Sequence, residues 1–123
     1  MVNKKISTRF FSSQQEKKVA DIIGGKPTPN SGATKYQKGD IAKSADYSDP
    51  ENYAAQESWL IEAKTSMTPK QSFSIKKQWL ETLKEEAFQA GKMNYALVFS
   101  YGPKQENYYI LTEDKFKQLF GEE

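Results

Sequence analysis

The sequence predicts an α/β fold in which a central mixed sheet is flanked by helices. Apolar residues recur at helical spacing between Ile75 and Phe88, which indicates an amphipathic helix. Shorter apolar runs bounded by turn residues, at 57–65 and 94–101, are typical of strands. These segments alternate along the chain, and 123 residues suffice for a single domain with one core.

The first helix is expected over residues 14–23, with Ser13 as its cap and two glycines after it. Ser13 and Glu16 have the spacing of a capping box, in which the glutamate bonds back to the backbone amide of the cap. Residues 26–35 are rich in Pro, Gly, Ser and Asn, and we expect them to form a loop.

The remaining elements follow from the same patterns and from the turn residues between them. Residues 36–43 and 57–65 are expected to pair as a hairpin around the acidic connection 44–56, which could hide a third early strand. The later elements are, in chain order, a helix from Ile75 to Gly91, strands over 94–101 and 106–112, and a short helix capped by Thr112 that ends near Phe120.

The absence of two residue types excludes several kinds of site. The chain has no cysteine and no histidine, which excludes disulfides, zinc sites built on thiolate or imidazole, Cys-His and Ser-His catalysis, and haem bound by histidine. Any metal bound by side chains must therefore be held by oxygen ligands, as Mg²⁺, Mn²⁺ and Ca²⁺ are. No transmembrane or signal-peptide pattern stands out, so we expect an intracellular, cytoplasmic protein without membrane contact.

Charge is segregated along the chain although the net charge is only +2. Residues 1–43 contain nine Lys or Arg and three Asp or Glu, whereas residues 44–63 contain no Lys or Arg and five Asp or Glu. A basic amino-terminal third is compatible with a polyanionic partner such as nucleic acid, and equally with an ordinary solvated surface.

Two charged residues stand on an otherwise apolar strand. In the segment 59–64, WLIEAK, Glu62 and Lys64 share one face because successive side chains of a strand alternate. Charges there are unfavourable unless something pairs with them, and a divalent metal with a bound phosphodiester would do so. Asp40, which follows Gly39 and precedes Glu62 by 21 intervening residues, completes a D…ExK pattern.

These residue types suit phosphodiester hydrolysis. Asp40 and Glu62 can hold a metal that polarises the phosphoryl oxygen and activates a water, with the Ala63 backbone carbonyl as a third oxygen ligand. The Lys64 ammonium can orient the attacking water and stabilise negative charge in the transition state. The bare pattern also occurs in many chains by chance.

Residues 14 to about 100 resemble the PD-(D/E)XK nucleases of the Holliday junction resolvase type, which occur in archaea and in phage genomes. The matching features are, in order, Glu16 in the first helix, Asn30-Ser31-Gly32-Ala33, Lys38-Gly39-Asp40, Leu60-Ile61-Glu62-Ala63-Lys64-Thr65, and Ser72 to Trp79 opening the second helix. The resemblance implies a restriction-endonuclease-like αβββαβ core in one nuclease domain over residues 1–123. No proline precedes Asp40, and the long acidic connection 44–56 leaves the route of the substrate open.

The resemblance also implies residue roles. In that family the helix-one glutamate and the two carboxylates of the motif bind metal and the lysine assists catalysis, which assigns these roles to Glu16, Asp40, Glu62 and Lys64. For Glu16 the capping box is the alternative explanation.

A second set of residues is expected to contact DNA. The resemblance places Ser31 at the DNA backbone and Gln78 in the second helix, facing the site; a simple turn is the alternative for Ser31. Lys26, Lys35 and Lys38 flank the site and could neutralise phosphates, or belong to a solvated loop. The apolar stripe of the second helix, including Trp79, is expected to be core and not a substrate platform.

The implied activity is that of a Mg²⁺-dependent, structure-specific endodeoxyribonuclease, with Mn²⁺ as a substitute, that resolves Holliday junctions in DNA recombination, DNA repair or phage DNA processing. Two symmetric cuts in a four-way junction imply a homodimer. A phage-encoded protein would act in the host cytoplasm. The alternatives are a general, nick-directed or end-directed nuclease of the same fold, and a catalytically inactive DNA-binding module.

Overall fold

The computed structural model describes residues 8–28 and 39–121 and confirms the α/β class. Its elements are α1 (Thr8–Ile23), β1 (Lys26–Pro27), β2 (Ile41–Lys43), a 3₁₀ helix (Tyr53–Gln56), β3 (Trp59–Lys64), α2 (Lys77–Gln89), β4 (Asn94–Ser100), β5 (Asn107–Ile110) and α3 (Glu113–Leu119). Among the residues described, no helix is both long enough and apolar enough to cross a bilayer.

The five strands form one mixed sheet in the order β1-β2-β3-β4-β5. β3 and β4 are parallel, and the other three neighbouring pairs are antiparallel. Parallel neighbours need a crossover connection, which α2 supplies between β3 and β4. The expected hairpin is confirmed, because β2 pairs with β3 in a register that sets Ile41 opposite Ile61.

The two faces of β3 are covered by different helices. Ile61 packs with Val19 of α1 in one buried cluster, whereas Leu60 packs with Leu83 of α2 in a second cluster. Because side chains alternate along a strand, Glu62 shares the face of Leu60 and lies on the α2 side.

α1 begins earlier than the sequence pattern predicts. The helix starts at Thr8, so Ser13 lies inside it and cannot be its cap. The predicted start at residue 14 was therefore wrong, and the capping-box explanation of Glu16 fails with it. No proline or glycine interrupts the added turn, so nothing in the sequence opposes helix there.

Two further expectations need correction. Lys26–Pro27, predicted to be loop, forms the edge strand β1, where a proline is tolerated because the outer side of an edge needs no backbone donor. This is the third early strand; the connection 44–56, where it was sought, contains a 3₁₀ helix instead. α2 begins at Lys77 and not near Ser72, because Lys76 still has an extended backbone.

A buried lysine anchors the acidic connection between β2 and β3. Lys43 is 8% exposed, and its Nζ donates to the backbone carbonyls of Ser44, Ala55 and Glu57 at 3.2, 2.6 and 2.9 Å. These bonds satisfy all three donors of an ammonium that would otherwise be unfavourable in the interior.

Candidate functional site

The structure brings Asp40 to the strand that contains the ExK motif. The Asp40 backbone N–H donates to the Ile61 carbonyl at 2.9 Å, and its Oδ2 accepts a hydrogen bond from the Ala63 backbone N–H at 2.8 Å. The carboxylate is therefore held against the carboxyl-terminal half of β3. Two parts of the motif that are separated by 21 intervening residues in sequence thus become neighbours.

Gly39 permits the close approach that positions Asp40. Its φ is +73°, and a Cβ at this position would lie 2.6 Å from both Cγ and Cδ1 of Leu60. Any side chain would therefore clash with the core under β3 as well as strain the backbone. The Gly39 carbonyl accepts a hydrogen bond from Thr28 Oγ1 at 2.9 Å, which ties the turn to the end of β1.

Glu62 and Lys64 form an ion pair on the α2 side of the sheet. Lys64 Nζ lies 3.2 Å from Glu62 Oε2, and the two side chains are only 29% and 24% exposed. The pKa of Glu62 is raised from 4.5 to about 7, first by burial and then by the negative charge of Asp40, although the Lys64 ammonium lowers it. Burial and the charge of Asp40 together thus outweigh the effect of the Lys64 ammonium, and a bound cation would lower this pKa again.

A cavity of about 340 Å³ opens beside this pair and is lined by α2. Gln78, which the resemblance implied would face the site, lines this cavity, and so does Trp79. The Trp79 ring packs against the Leu60 cluster, but Lys64 Nζ lies 4.4 Å from its centroid. Trp79 is therefore both a core residue and a cation–π partner of Lys64.

Glu86 also lines the cavity and was missed by the sequence analysis. Its negative charge contributes to the raised pKa of Glu62. Glu86 follows Trp79 by seven residues, which places both on one face of a helix. That spacing was a usable signal, but it has meaning only once α2 is known to face Glu62.

Gln15 is a second residue that sequence analysis missed. Its Nε2 donates to the Lys64 backbone carbonyl at 2.8 Å and to Asn107 Oδ1 at 3.3 Å, so α1 is bonded to the end of β3. The side chain is buried, and its Oε1 has no hydrogen-bond partner in the part of the chain that the structure describes. A glutamine on an amphipathic helix gives no sequence signal of such a role.

The other predicted residues have different outcomes. Glu16 is half-buried on α1, and Lys26 is exposed in β1. Ser31, Lys35 and Lys38 lie outside the described residues. Within residues 8–28 and 39–121, no three or more Asp, Glu, His or Cys side chains form a group that could hold a metal. The structure thus gathers two motif carboxylates, and Glu16 as a third ligand stays a prediction.

The side chains of this site suit a divalent cation and an anionic substrate. Asp40 and Glu62 offer carboxylate oxygens, which suit Mg²⁺ or Mn²⁺, and Lys64 offers an ammonium for an anionic substrate. Burial raises the pKa of Glu62 most and the charge of Asp40 adds to it, and a cation bound between the two carboxylates would offset both effects. Comparisons of the chain with models of protein families, with curated proteins and with solved structures found no match.

Proposed function

We propose that this chain is a Mg²⁺-dependent endodeoxyribonuclease of the PD-(D/E)XK type. The observation that carries the proposal is the Asp40 carboxylate, hydrogen-bonded to the Ala63 amide within the Glu62-Ala63-Lys64 segment. Two carboxylates and an ammonium are the groups needed to hold a cation and to meet a phosphodiester.

The order of the elements supports the same proposal. From α1 to β4 the chain runs helix, three strands, helix, strand, with β3 and β4 parallel, which is the order expected of an αβββαβ core. Asp40 lies just before β2, and Glu62 and Lys64 lie within the neighbouring strand β3.

The residues divide the chemistry between them. Asp40 and Glu62 would hold the metal, joined by the Ala63 carbonyl and Glu16 if the predicted ligand set is complete; a bound Mg²⁺ supplies Lewis-acid polarisation of the phosphoryl oxygen. Lys64 donates hydrogen bonds to the attacking water and to the phosphoryl oxygens, whose negative charge grows in the transition state. Glu62 Oε2 and the Trp79 ring hold that ammonium in place.

The proposed substrate is a four-way DNA junction, as in resolvases that act in recombination, repair or phage DNA processing. A protein that cuts two symmetric strands needs two active sites related by a two-fold axis, so we propose a homodimer. The motif itself specifies the bond that is cut and not the shape of the DNA around it.

The test compares a labelled four-way junction with a linear duplex of the same sequence in Mg²⁺. Paired symmetric cuts in the junction alone are expected, and equal cleavage of both substrates would instead indicate a general nuclease. Binding of the junction without cleavage in Mg²⁺ or Mn²⁺ would indicate an inactive DNA-binding module.

Asp40→Asn is the matched variant for this assay. An asparagine Oδ1 can still accept the hydrogen bond from the Ala63 amide, so the fold is retained while the metal loses a charged ligand. Cleavage by this variant is expected to fall by at least about 100-fold. Unchanged cleavage and unchanged metal affinity in Asp40→Asn would contradict the proposed site.

A further inference from the structure

The end of β3 separates two cavities of different character. Lys64 lines the cavity next to Glu62, whereas the next residue, Thr65, lines a second cavity of about 220 Å³. α1 contributes Gln15 and Lys18 to this second cavity, and the β4–β5 connection contributes Lys104. A DNA strand that crosses the end of β3 could therefore contact both cavities.

The second cavity favours an anion. Two of its lining residues, Lys18 and Lys104, are positively charged, and none of the described lining residues is acidic. The first cavity has no such bias, since Glu62 and Glu86 are balanced there by Lys64 and Lys76. A phosphate next to the scissile one would thus be attracted to the second cavity on charge alone.

Lys104 occupies a strained backbone position to reach this cavity. It is the third residue of a turn in which the Gln105 N–H bonds to the Gly102 carbonyl, and its φ is +61°. A non-glycine residue in this left-handed region is disfavoured by about 1 kcal/mol. A glycine would fit the turn better, so the lysine is at a position that the fold alone does not favour.

Gln15 places beside this cavity a buried oxygen that lacks a hydrogen-bond donor among the residues described. Its Nε2 must face the Lys64 carbonyl, which accepts only, so its Oε1 cannot exchange places with the nitrogen. A ligand with an N–H group would satisfy this buried acceptor. Phosphate alone at neutral pH has little to donate, whereas a nucleotide carries an anion and a base with N–H groups.

We propose that this second cavity binds one nucleotide of the DNA strand being cut, next to the scissile phosphodiester. Its phosphate pairs with Lys18 and Lys104, and a base N–H group donates to Gln15 Oε1. A base leaves the stack at least cost where its stacking or pairing is already disturbed, so the cavity favours a nucleotide at the branch point of a junction, beside the cut. This inference rests on the proposed nuclease function.

Lys104→Gly provides the first test, because removing the strain should leave the protein at least as stable as the wild type. The affinity of a fluorescein-labelled branched DNA is measured by anisotropy in EDTA over a range of NaCl concentrations. We expect about 3- to 10-fold weaker binding near 0.1 M salt for Lys104→Gly and for Lys18→Ala, with a smaller salt dependence. Lys84→Ala, at an exposed position of α2 that lines neither cavity, is the control and should bind as the wild type does.

The second test concerns the base. Each nucleotide around the cut is replaced in turn by an abasic residue, and wild-type protein should lose affinity at one position. Gln15→Ala should bind normal and abasic DNA equally at that position, and its circular dichroism and thermal unfolding verify that it folds. If no position is sensitive while Lys104→Gly binds weakly, the base contact is wrong and the cavity binds phosphate only.

These experiments distinguish a failure of the proposed nucleotide site from a failure of the proposed nuclease function. If wild-type protein cuts DNA but Lys18→Ala and Lys104→Gly bind it with unchanged affinity and salt dependence, the second site is refuted and the nuclease proposal stands. If wild-type protein cuts no DNA in Mg²⁺ or Mn²⁺, the proposed function itself has failed.

Discussion

The negative charge of Glu62 destabilises the folded protein, although the proposed function requires that charge. Its pKa is raised from 4.5 to about 7, chiefly by burial and by the charge of Asp40, so the folded protein holds this proton more tightly than the unfolded chain does. The resulting stabilisation is complete below about pH 4.5 and is lost as pH rises through about 7. The shift corresponds to roughly 3 kcal/mol between those limits in the metal-free protein.

Glu62→Gln is therefore expected to stabilise the metal-free protein at pH 8 while abolishing cleavage. A neutral amide avoids the buried charge, so the free energy of unfolding in EDTA should exceed the wild-type value by about 1–3 kcal/mol at pH 8 and by little at pH 4.5. Urea unfolding at several pH values measures the difference. Glu85→Gln, at an exposed site on α2, is the control; a Glu62→Gln protein less stable than wild type at pH 8 would contradict the prediction.

Lys43 has a structural role in spite of its charge. Replacement by methionine keeps the apolar stem but removes the three hydrogen bonds to Ser44, Ala55 and Glu57, leaving their carbonyls without that donor. We expect Lys43→Met to lower the free energy of unfolding by about 2–4 kcal/mol. Urea unfolding measures the loss, and Lys84→Met is the exposed control. If cleavage by the folded fraction also fell, Lys43 would have a part in the site beyond this anchoring.

At the scale of elements, the turn into β2 links core packing to the position of Asp40. Gly39→Ala would force a Cβ to within 2.6 Å of Leu60 in a left-handed backbone conformation. We expect a loss of about 2–4 kcal/mol in stability and a displaced Asp40 that weakens Mg²⁺ binding. Because the clash is with the Leu60 side chain, Gly39→Ala should be less damaging in a Leu60→Ala background. A double-mutant cycle by urea unfolding measures this coupling, and additive effects would show that backbone strain alone is responsible.

The elements that the sequence predicted well are those whose patterns do not depend on a distant partner. α2 and β3 were located to within a few residues because their apolar periodicity is strong, and Thr112 caps α3 through its hydrogen bond from the Lys115 N–H. The two residues of β1 are a strand only because β2 lies beside them, and no local pattern encodes that pairing.

The candidate site likewise contains residues that the sequence could predict and residues that it could not. Asp40, Glu62 and Lys64 could be predicted to meet because their residue types and spacing form a motif. Gln15 and Glu86 could not, since their roles depend on how α1 and α2 dock across the sheet. Docking is decided by the whole core, and a polar residue on an amphipathic helix has the same sequence signature whether it faces water or a site.

At the scale of the whole molecule, the acidic connection 44–56 lies at one end of the strands β2 and β3. The acidic connection 44–56 leaves β2 after Lys43, which pairs with Trp59 at the start of β3. Asp40 and Lys64 lie at the opposite end of these strands. The acidic connection therefore lies away from the candidate site, at the other end of these two strands.

The proposed homodimer leads to a prediction about how two cuts are made. If each protomer contributes one complete site, a mixed dimer of wild-type and Asp40→Asn protomers has one active site and one inactive site related by the two-fold axis. Such a dimer, isolated through two different affinity tags, should nick only one of the two symmetric strands of a junction. The substrate is a supercoiled plasmid with an extruded cruciform. A single nick converts it to an open circle, whereas paired cuts convert it to a linear product, and gel electrophoresis separates the two.

Two control preparations make the result decisive. Tagged wild-type homodimers should linearise the plasmid through paired cuts, and Asp40→Asn homodimers should leave it intact. Sedimentation velocity of the wild-type protein, alone and with the junction, gives the number of protomers directly. A monomer that makes paired cuts at protein concentrations below that of the DNA would contradict the dimer, because one site would then serve both strands in turn.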